Sequence, residues 1–177
     1  FEGDWILLKR IGRYLKGTPR VVQRFEWQSE SSNLDTFVDS DWAGCKSTAK
    51  STSGGVMCLG AHTIKAWSST QNVIALSSGE AELYALVKGA SQTLGLIAMA
   101  DDFGIWLGGK VFTDSSAAIG ICTRKGLGKV RHIRVQYLWV QDLIKEKTLG
   151  LNKVPGADNP SDVLTKHVGK PVLETPE

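Results

Sequence analysis

The order in which extended and helical patterns follow one another is the feature that most constrains the fold of this chain. Three short extended segments, 34–39, 54–59 and 63–68, come in succession and are separated by turns rich in glycine and serine. A long apolar repeat with helical spacing then runs from Ser78 toward Phe103. Strands alternate with helices after it. We therefore predict an α/β fold in which a three-stranded antiparallel meander continues into two parallel strands, with helices on both faces of one mixed sheet.

The later elements follow from the same patterns. We predict, in chain order, a fourth strand, a short helix, an amphipathic helix and a fifth strand: 111–113, 115–122, 133–145 and 149–154. A last helix is predicted to open with Asn159 as its N-cap and Pro160 in its first turn. Ser77 and Glu80 have the spacing of a capping box at the start of the long helix.

The first 33 residues differ in pattern from the rest. Residues 5–16 place apolar side chains on one helical face and lysines and arginines largely around the other. Residues 17–19 end this helix, and the polar run 28–33 separates it from the first strand. We therefore predict a basic helix with a linker, a folded domain and a C-terminal tail, over 1–33, 34–168 and 169–177.

Composition excludes several classes of protein. The 177 residues are 42% hydrophobic and 22% charged, which excludes a mainly disordered, collagen-like or coiled-coil chain. The net charge of +3 is too small to indicate a partner. No stretch of about 18 apolar residues is present, so we expect no membrane partner. Three cysteines, widely spaced and outside any CxxC pair, favour reduced, buried thiols and an intracellular location.

Four acidic residues lie at the ends of predicted strands and in the first turns of predicted helices. They are Asp39, Glu82, Asp114 and Asp162. They are far apart along the chain, so only the fold can bring them together, and such positions face the crevice where α/β folds place their sites. Clustered carboxylates repel one another unless a cation lies among them, and oxygen ligands favour Mg²⁺ or Mn²⁺. Two such ions can support hydrolysis of a phosphodiester without a nucleophilic side chain.

Five segments, in this order, carry a resemblance to a known family: VDSDWAG (38–44), STSGG (51–55), WSS (67–69), ALSSGEAE (75–82) and DNPSDVLTK (158–166). With the order of strands and acids, they resemble the ribonuclease H domain of copia-type long-terminal-repeat retrotransposon polyproteins. Residues 8–18 resemble the end of the reverse transcriptase that precedes this domain. We therefore expect a ribonuclease H-like fold and a remnant of the polymerase connection before it.

The resemblance implies a function and a set of site residues. The family's four catalytic and metal-binding acids fall on Asp39, Glu82, Asp114 and Asp162. The family uses two Mg²⁺ ions, with Mn²⁺ as a substitute, to hydrolyse the RNA strand of RNA–DNA hybrids during reverse transcription, leaving 5′-phosphate and 3′-hydroxyl ends. The implied partners are the hybrid and the reverse transcriptase domain of the same polyprotein. The implied location is the cytoplasm, in the virus-like particle of the element.

Candidate nucleic-acid contacts lie beside these acids and in a basic stretch. They are Ser77, Ser78, Ser115, Arg124, Lys125, Lys129, Arg131 and Arg134. A glycine-containing cationic loop at 123–134 suits phosphate contacts, and serines next to the acids suit contacts to sugar hydroxyls or phosphates. The alternatives are a solvated run of charge for the loop and helix caps for the serines.

The sequence leaves several alternatives open. Asp41 competes with Asp39 as a ligand, and the helix dipole alone accounts for an acid at Asp162. The loop 154–161 lacks the histidine that many family members carry there, so that role is unassigned and slow turnover is expected. A catalytically weak or inactive module that binds hybrid or tethers the polymerase is therefore a second hypothesis, and DNA-strand transfer on the same fold is a third. Trp106 and Trp139 are expected in the core.

Overall fold

The extended patterns form one five-stranded sheet in the structure, a computed structural model that describes residues 2–20, 22–126, 128, 133 and 137–166. The strands are β1 (Asn33–Asp41), β2 (Thr52–Leu59), β3 (His62–Thr70), β4 (Gly108–Thr113) and β5 (Leu149–Lys153). Their order in the sheet is β3-β2-β1-β4-β5. The first three strands pair antiparallel, and β1-β4 and β4-β5 pair parallel. The predicted mixed sheet is confirmed.

Four α-helices are described. They are α1 (Glu2–Gly17), α2 (Ser78–Asp102), α3 (Ser116–Thr123) and α4 (Trp139–Lys145). The predicted last helix is a short 3₁₀ helix, Pro160–Leu164, and Asn159 caps it as predicted. The helix predicted from residue 133 is α-helical from Trp139, and residues 134–136 lie outside the described part of the chain.

Helix α2 covers one face of the sheet. Alternation along β1 turns Leu34, Thr36 and Val38 toward this helix, and all three are fully buried. The Thr36 and Thr93 hydroxyls are 2.7 Å apart across the interface, so both polar groups are satisfied inside the core. Gly89 allows the close approach, because a Cβ there would lie 2.5 Å from Val38 Cγ1.

The opposite face carries the 3₁₀ helix and an aromatic pair. The rings of Phe37 and Phe112, on neighbouring strands, stack with centroids 4.8 Å apart. The 3₁₀ helix lies against β1 and β2, where Gly54 leaves room: a Cβ at Gly54 would be 2.7 Å from Thr165 Cγ2. The prediction of helices on both faces is confirmed.

Helix α1 is amphipathic as predicted, but its apolar side chains are exposed. Seven of them have 55% to 69% of their surface exposed: Trp5, Ile6, Leu7, Leu8, Ile11, Tyr14 and Leu15. The linker after it does contact the domain, since Gln28 Nε2 donates to the Leu59 carbonyl and Gln28 Oε1 accepts from Ala61 N, both at 2.8 Å. The domain boundary near Asn33 stays a prediction.

Two expectations about buried side chains have different outcomes. Trp139 packs against the core as predicted. The prediction for Trp106 is wrong, because this side chain is 83% exposed. It lies between α2 and β4, and its apolar neighbours Phe103 and Ile105 are also more than half exposed. Of the three cysteines, Cys122 is buried as predicted, whereas the prediction is wrong for Cys45 and Cys58, which are half-buried.

Helix α2 is also long and apolar enough to meet the length and composition criteria for a membrane-spanning helix. It buries Glu80, Glu82 and Thr93 against the rest of the domain. Because α2 buries these polar side chains and packs against β1, β2 and β4, we assign it to the domain core. The absence of a membrane partner stays a prediction.

The close packing of α2 on β1 can be tested with two glycines of the same helix. We expect Gly89→Ala to lower the free energy of unfolding by roughly 1–3 kcal/mol, because the new methyl group would overlap Val38. Gly95→Ala is the matched control, since a Cβ at Gly95 meets nothing within 4 Å. It should raise the free energy by up to about 1 kcal/mol through helix propensity. Urea denaturation followed by circular dichroism measures both, and equal changes would contradict the packing.

Candidate active site

Three carboxylates from distant parts of the chain converge at one end of the sheet. Asp39 lies near the end of β1, Glu82 in the second turn of α2, and Asp114 directly after β4. Each offers a carboxylate oxygen within 4.8 Å of the other two. The structure therefore brings together three of the four acids that the sequence singled out.

Local structure explains these positions. Ser77 caps α2 by accepting a hydrogen bond from Glu80 N at 3.2 Å, and this fixes the helix start five residues before Glu82. Ser115 caps α3 by accepting from Ala118 N at 3.2 Å, so Asp114 is not needed as the cap. Because β1 and β4 are parallel, their C-terminal ends bring Asp39 and Asp114 to the same edge.

The two carboxylate oxygens of Glu82 differ in their hydrogen bonds. Its Oε1 accepts hydrogen bonds from the Ser40 backbone N–H at 3.2 Å and from the Ser40 hydroxyl at 3.0 Å. Its Oε2 is buried without a hydrogen-bond partner. Burial, and next the charge of Asp39, raise the pKa of Glu82 to about 8. A buried acceptor of this kind suits a cation or a proton.

Asp39 is the most buried of the acids, with 1% of its surface exposed. The Thr165 hydroxyl donates to its Oδ2, and the Lys166 ammonium donates to its Oδ1 at 3.2 Å. Burial raises the pKa of the Asp39 carboxyl, the Thr165 hydrogen bond opposes that rise, and the charge of Asp162 adds to it. Both oxygens of Asp39 thus have partners from the C-terminal end of the domain.

Asp162 lies beside the group of three and is linked to it through a lysine. It occupies the first turn of the 3₁₀ helix, and its Oδ1 is 3.1 Å from Lys166 Nζ. The same ammonium contacts Asp39, so one lysine bridges the two acids. The fourth predicted acid is therefore at the site, with Lys166 between it and Asp39.

The donor set fits a hard divalent cation. All the ligands on offer are carboxylate oxygens, which Mg²⁺ and Mn²⁺ prefer over the nitrogen and sulfur ligands typical of zinc. The unpartnered Glu82 Oε2 supplies a buried oxygen within this group. Asp39, Glu82 and Asp114 could hold one ion, and Asp39 with Asp162 could contribute to a second.

Comparison with curated proteins finds polyproteins of transposons. The chain is similar to the retrovirus-related Pol polyproteins of transposons RE1 and RE2 from Arabidopsis thaliana, with 29% identity over 170 residues and 28% over 172. It is 28% identical over 172 residues to the corresponding polyprotein of transposon TNT 1-94 from Nicotiana tabacum. These alignments cover 94–96% of this chain and 12–13% of each polyprotein. No protein-family model matches the chain.

Comparison with solved structures decides the fold. A ribonuclease H1 isolated from compost matches with a TM-score of 0.56 and 16% identity, over 76% of this chain and 93% of that one. The N-terminal ribonuclease H domain of a Mycobacterium tuberculosis protein matches with a TM-score of 0.53 and 18% identity, over 76% and 91%. The chain has the ribonuclease H fold. The compost protein in complex with an RNA/DNA hybrid also matches, with a TM-score of 0.53 and 16% identity, over 80% and 99%.

These findings confirm the resemblance to ribonuclease H domains of retrotransposon polyproteins. The copia type and the roles of the individual acids stay predictions. On this ribonuclease H fold the four acids come from β1, α2, the end of β4 and the 3₁₀ helix, which is the order of elements predicted from the sequence.

Asp41, the alternative to Asp39, and Glu80, an acid two residues before Glu82, have other contacts in this ribonuclease H fold. Asp41 Oδ1 accepts a hydrogen bond from Thr52 N and so closes the loop between β1 and β2. Glu80 Oε2 accepts from Leu76 N at 3.0 Å, and its Oε1 accepts from the Tyr84 hydroxyl. The capping box is confirmed on the Ser77 side, where the Ser77 hydroxyl accepts from Glu80 N.

The structure describes five of the eight residues that are predicted to contact nucleic acid. Ser77 and Ser115 act as helix caps, and Ser77 and Ser78 are exposed beside the acids. Arg124 and Lys125 border a cavity of about 370 Å³ with Gln141 and Lys145. Lys129, Arg131 and Arg134 lie outside the described residues, as do His132 and His167. A role in binding nucleic acid stays a prediction for all eight residues.

Sequence reasoning missed several residues that position the site. Asn159 was predicted only as a cap, yet its Nδ2 also donates to the Val38 carbonyl at 3.0 Å and so ties the 3₁₀ helix to β1 beside Asp39. Thr165 and Lys166 belong to the segment 158–166, but the sequence assigns them no role. Gly156 also went unassigned, although a Cβ there would lie 3.0 Å from Asp114 Oδ2. The signal for Lys166 was its spacing of four residues from Asp162.

The raised carboxyl pKa values predict an unusual pH dependence of stability without divalent cations. Because Glu82 has a pKa of about 8 in the folded state against an ordinary value of 4.5, the folded state binds more protons between these values. The free energy of unfolding should therefore fall as pH rises from about 5 to 8, by at most about 1.4 kcal/mol per pH unit. Denaturation in EDTA measures this.

The variant Glu82→Gln should flatten that slope, because the group that takes up the proton is gone. Glu146→Gln is the matched control, since Glu146 is exposed and lies at the end of α4. It should keep the slope of the parent protein. A Glu82→Gln variant that keeps the slope of the parent would contradict the raised pKa of Glu82.

Proposed function

We propose that this domain is a metal-dependent endoribonuclease that hydrolyses the RNA strand of RNA–DNA hybrids. The observation that carries the proposal is the group of Asp39, Glu82 and Asp114, whose oxygens lie within 4.8 Å of one another on a ribonuclease H fold. Close carboxylates of which two are buried are costly unless they serve a cation, and this argues for a functional site.

Two divalent cations would supply the chemistry: they activate water and stabilise the leaving oxygen of an in-line displacement. Asp39, Glu82 and Asp114 would hold one ion, and Asp39 and Asp162 would hold the second. Mg²⁺ is the expected metal, with Mn²⁺ as a substitute, because all the protein ligands are oxygens.

The surrounding residues keep these oxygens in place. Ser40 holds Glu82 through two hydrogen bonds, and Thr165 holds Asp39. Asn159 anchors the 3₁₀ helix to β1, so that Asp162 stays beside Asp39. Because carboxylates on rigid elements need little reorganisation when they bind a cation, this arrangement favours catalysis.

The substrate is proposed from the fold and from the exposed side chains. The compost ribonuclease H1 that matches this fold was solved with an RNA/DNA hybrid. Ser77 and Ser78 are exposed at the start of α2, where hydroxyls can contact sugar and phosphate groups, and Arg124 and Lys125 supply positive charge. Recognition would depend on 2′-hydroxyls and backbone shape, with little reading of base sequence.

The proposed setting is reverse transcription of a retrotransposon. Similarity to Pol polyproteins supports a polymerase of the same polyprotein as the partner, and the exposed apolar face of α1 is a surface that such a partner could bury. The three cysteines, which form no disulfide with one another, support an intracellular, cytoplasmic location, within the particle of the element.

The central test is the variant Asp114→Asn. Replacing one ligand oxygen by an amide should lower Mg²⁺-dependent cleavage of a labelled hybrid by at least about a hundredfold, while the circular dichroism spectrum is kept. Asp102→Asn, an exposed acid at the end of α2, is the matched control and should cleave like the parent. Products should carry 5′-phosphate and 3′-hydroxyl ends, and EDTA should abolish them.

Substrate comparison completes the test. Single-stranded RNA, double-stranded RNA and double-stranded DNA of the same sequence should be cleaved much more slowly than the hybrid. A parent protein that binds hybrid and never cleaves it, with either Mg²⁺ or Mn²⁺, would favour the inactive binding module. Equal cleavage by Asp114→Asn would refute the assigned site.

A further inference from the structure

Lys166 occupies a position that no assigned role explains. Its ammonium lies 3.2 Å from Asp39 Oδ1 and 3.1 Å from Asp162 Oδ1, so it bridges two of the four acids. The neighbouring Thr165 hydroxyl takes the other oxygen of Asp39. One turn of the chain therefore engages both oxygens of the most buried acid of the site.

The two sides of the site differ in their contacts. On the side of Glu82, the oxygen Oε2 is buried and has no hydrogen-bond partner. On the side of Asp39 and Asp162, a protein cation already contacts one oxygen from each acid. A divalent ion that used these same two oxygens would have to displace the ammonium.

We propose that Lys166 is an internal counter-cation that competes with a divalent ion for Asp39 and Asp162, and so lowers the affinity of that side of the site. This inference rests on the proposed function, because it assumes that cations bind these acids. It assigns Lys166 as a positioning residue that holds the two carboxylates together until an ion replaces it.

The contacts of Lys166 suit a displaceable cation. Its side chain is 45% exposed and Asp162 is 28% exposed, so water reaches the ion pairs. Ion pairs accessible to water are weak, and the flexible stem of lysine lets the ammonium move without a change of backbone. Asp39 is buried, however, so a cation beside it stabilises its ionised form.

A purely structural lysine would behave differently. If Lys166 only fastened the 3₁₀ helix to β1, its loss would loosen Asp162 and weaken the binding of divalent ions. If it competes with an ion, its loss leaves the two carboxylates free to bind that ion more tightly. The sign of the change in metal affinity therefore separates the two roles.

The experiment titrates Mn²⁺ into the 177-residue chain by calorimetry, without nucleic acid. For Lys166→Met we expect the weaker binding step to tighten by roughly three- to tenfold, because the competing charge is lost. Lys166→Arg keeps a cation and should stay within about twofold of the parent. Lys65→Met is the matched control, since Lys65 is exposed on β3 and contacts Gln92. It should bind as the parent does.

Thermal unfolding gives a second measurement. In EDTA, Lys166→Met should melt below the parent, because Asp39 and Asp162 lose their counter-charge, and added Mn²⁺ should raise its melting temperature by more than it raises that of the parent. An unchanged melting temperature in EDTA, or Mn²⁺ binding by Lys166→Met no tighter than that of the parent, would overturn the inference.

These outcomes are distinct from failure of the proposed function. If Lys166→Met binds Mn²⁺ more tightly than the parent and the parent cleaves no hybrid, the role of Lys166 is supported and the nuclease is refuted. A parent chain that cleaves hybrid, together with a Lys166→Met variant that binds Mn²⁺ less tightly, refutes the role of Lys166 and leaves the nuclease in place.

Discussion

The mutual repulsion of carboxylates that are held out of water is the interaction on which this site depends. Asp39 and Glu82 are 1% and 9% exposed, and Asp114 offers an oxygen within 4.8 Å of both. Three negative charges at such separations in a poorly solvated place are unfavourable, which is why burial and neighbouring charge raise the pKa of Glu82. The domain meets this cost with hydrogen bonds from Ser40 and Thr165 and with the charge of Lys166. Glu82 Oε2 is buried without a hydrogen-bond partner, and this oxygen is the strongest indication of a cation site.

Elements from the whole length of the domain are needed to build this arrangement. β1 supplies Asp39 from the middle of the sheet, α2 brings Glu82 across one face, and the 3₁₀ helix brings Asp162 from the other. Asn159 joins the last of these to the first through its hydrogen bond to the Val38 carbonyl. Solved ribonuclease H proteins share this fold, and transposon Pol polyproteins are similar to the chain in sequence.

Strong periodicity is what made the fold predictable from the sequence. The meander and α2 have clear patterns, and the acids could be singled out because they lie where strands end and helices begin. The contacts of Lys166 with Asp39 could not be foreseen, because 127 positions separate the two residues and only the packing of the 3₁₀ helix on β1 brings them together. Trp106 was placed wrongly because an apolar pattern shows only that a side chain can be buried and does not provide the surface that buries it. The same limit applies to α1, whose amphipathic pattern was correct while its apolar face stays exposed.

The central place of β1 in the sheet has a consequence for the stability of the backbone that carries Asp39. A strand with hydrogen-bonded neighbours on both sides exchanges its amide hydrogens only when a large part of the domain unfolds, so the backbone around Asp39 belongs to the slowest-exchanging part of the chain. The five-residue 3₁₀ helix that carries Asp162 adds no strand to this sheet and is joined to β1 through the Asn159 side chain. One wall of the site therefore belongs to the sheet itself, and the other is held to it by side-chain hydrogen bonds.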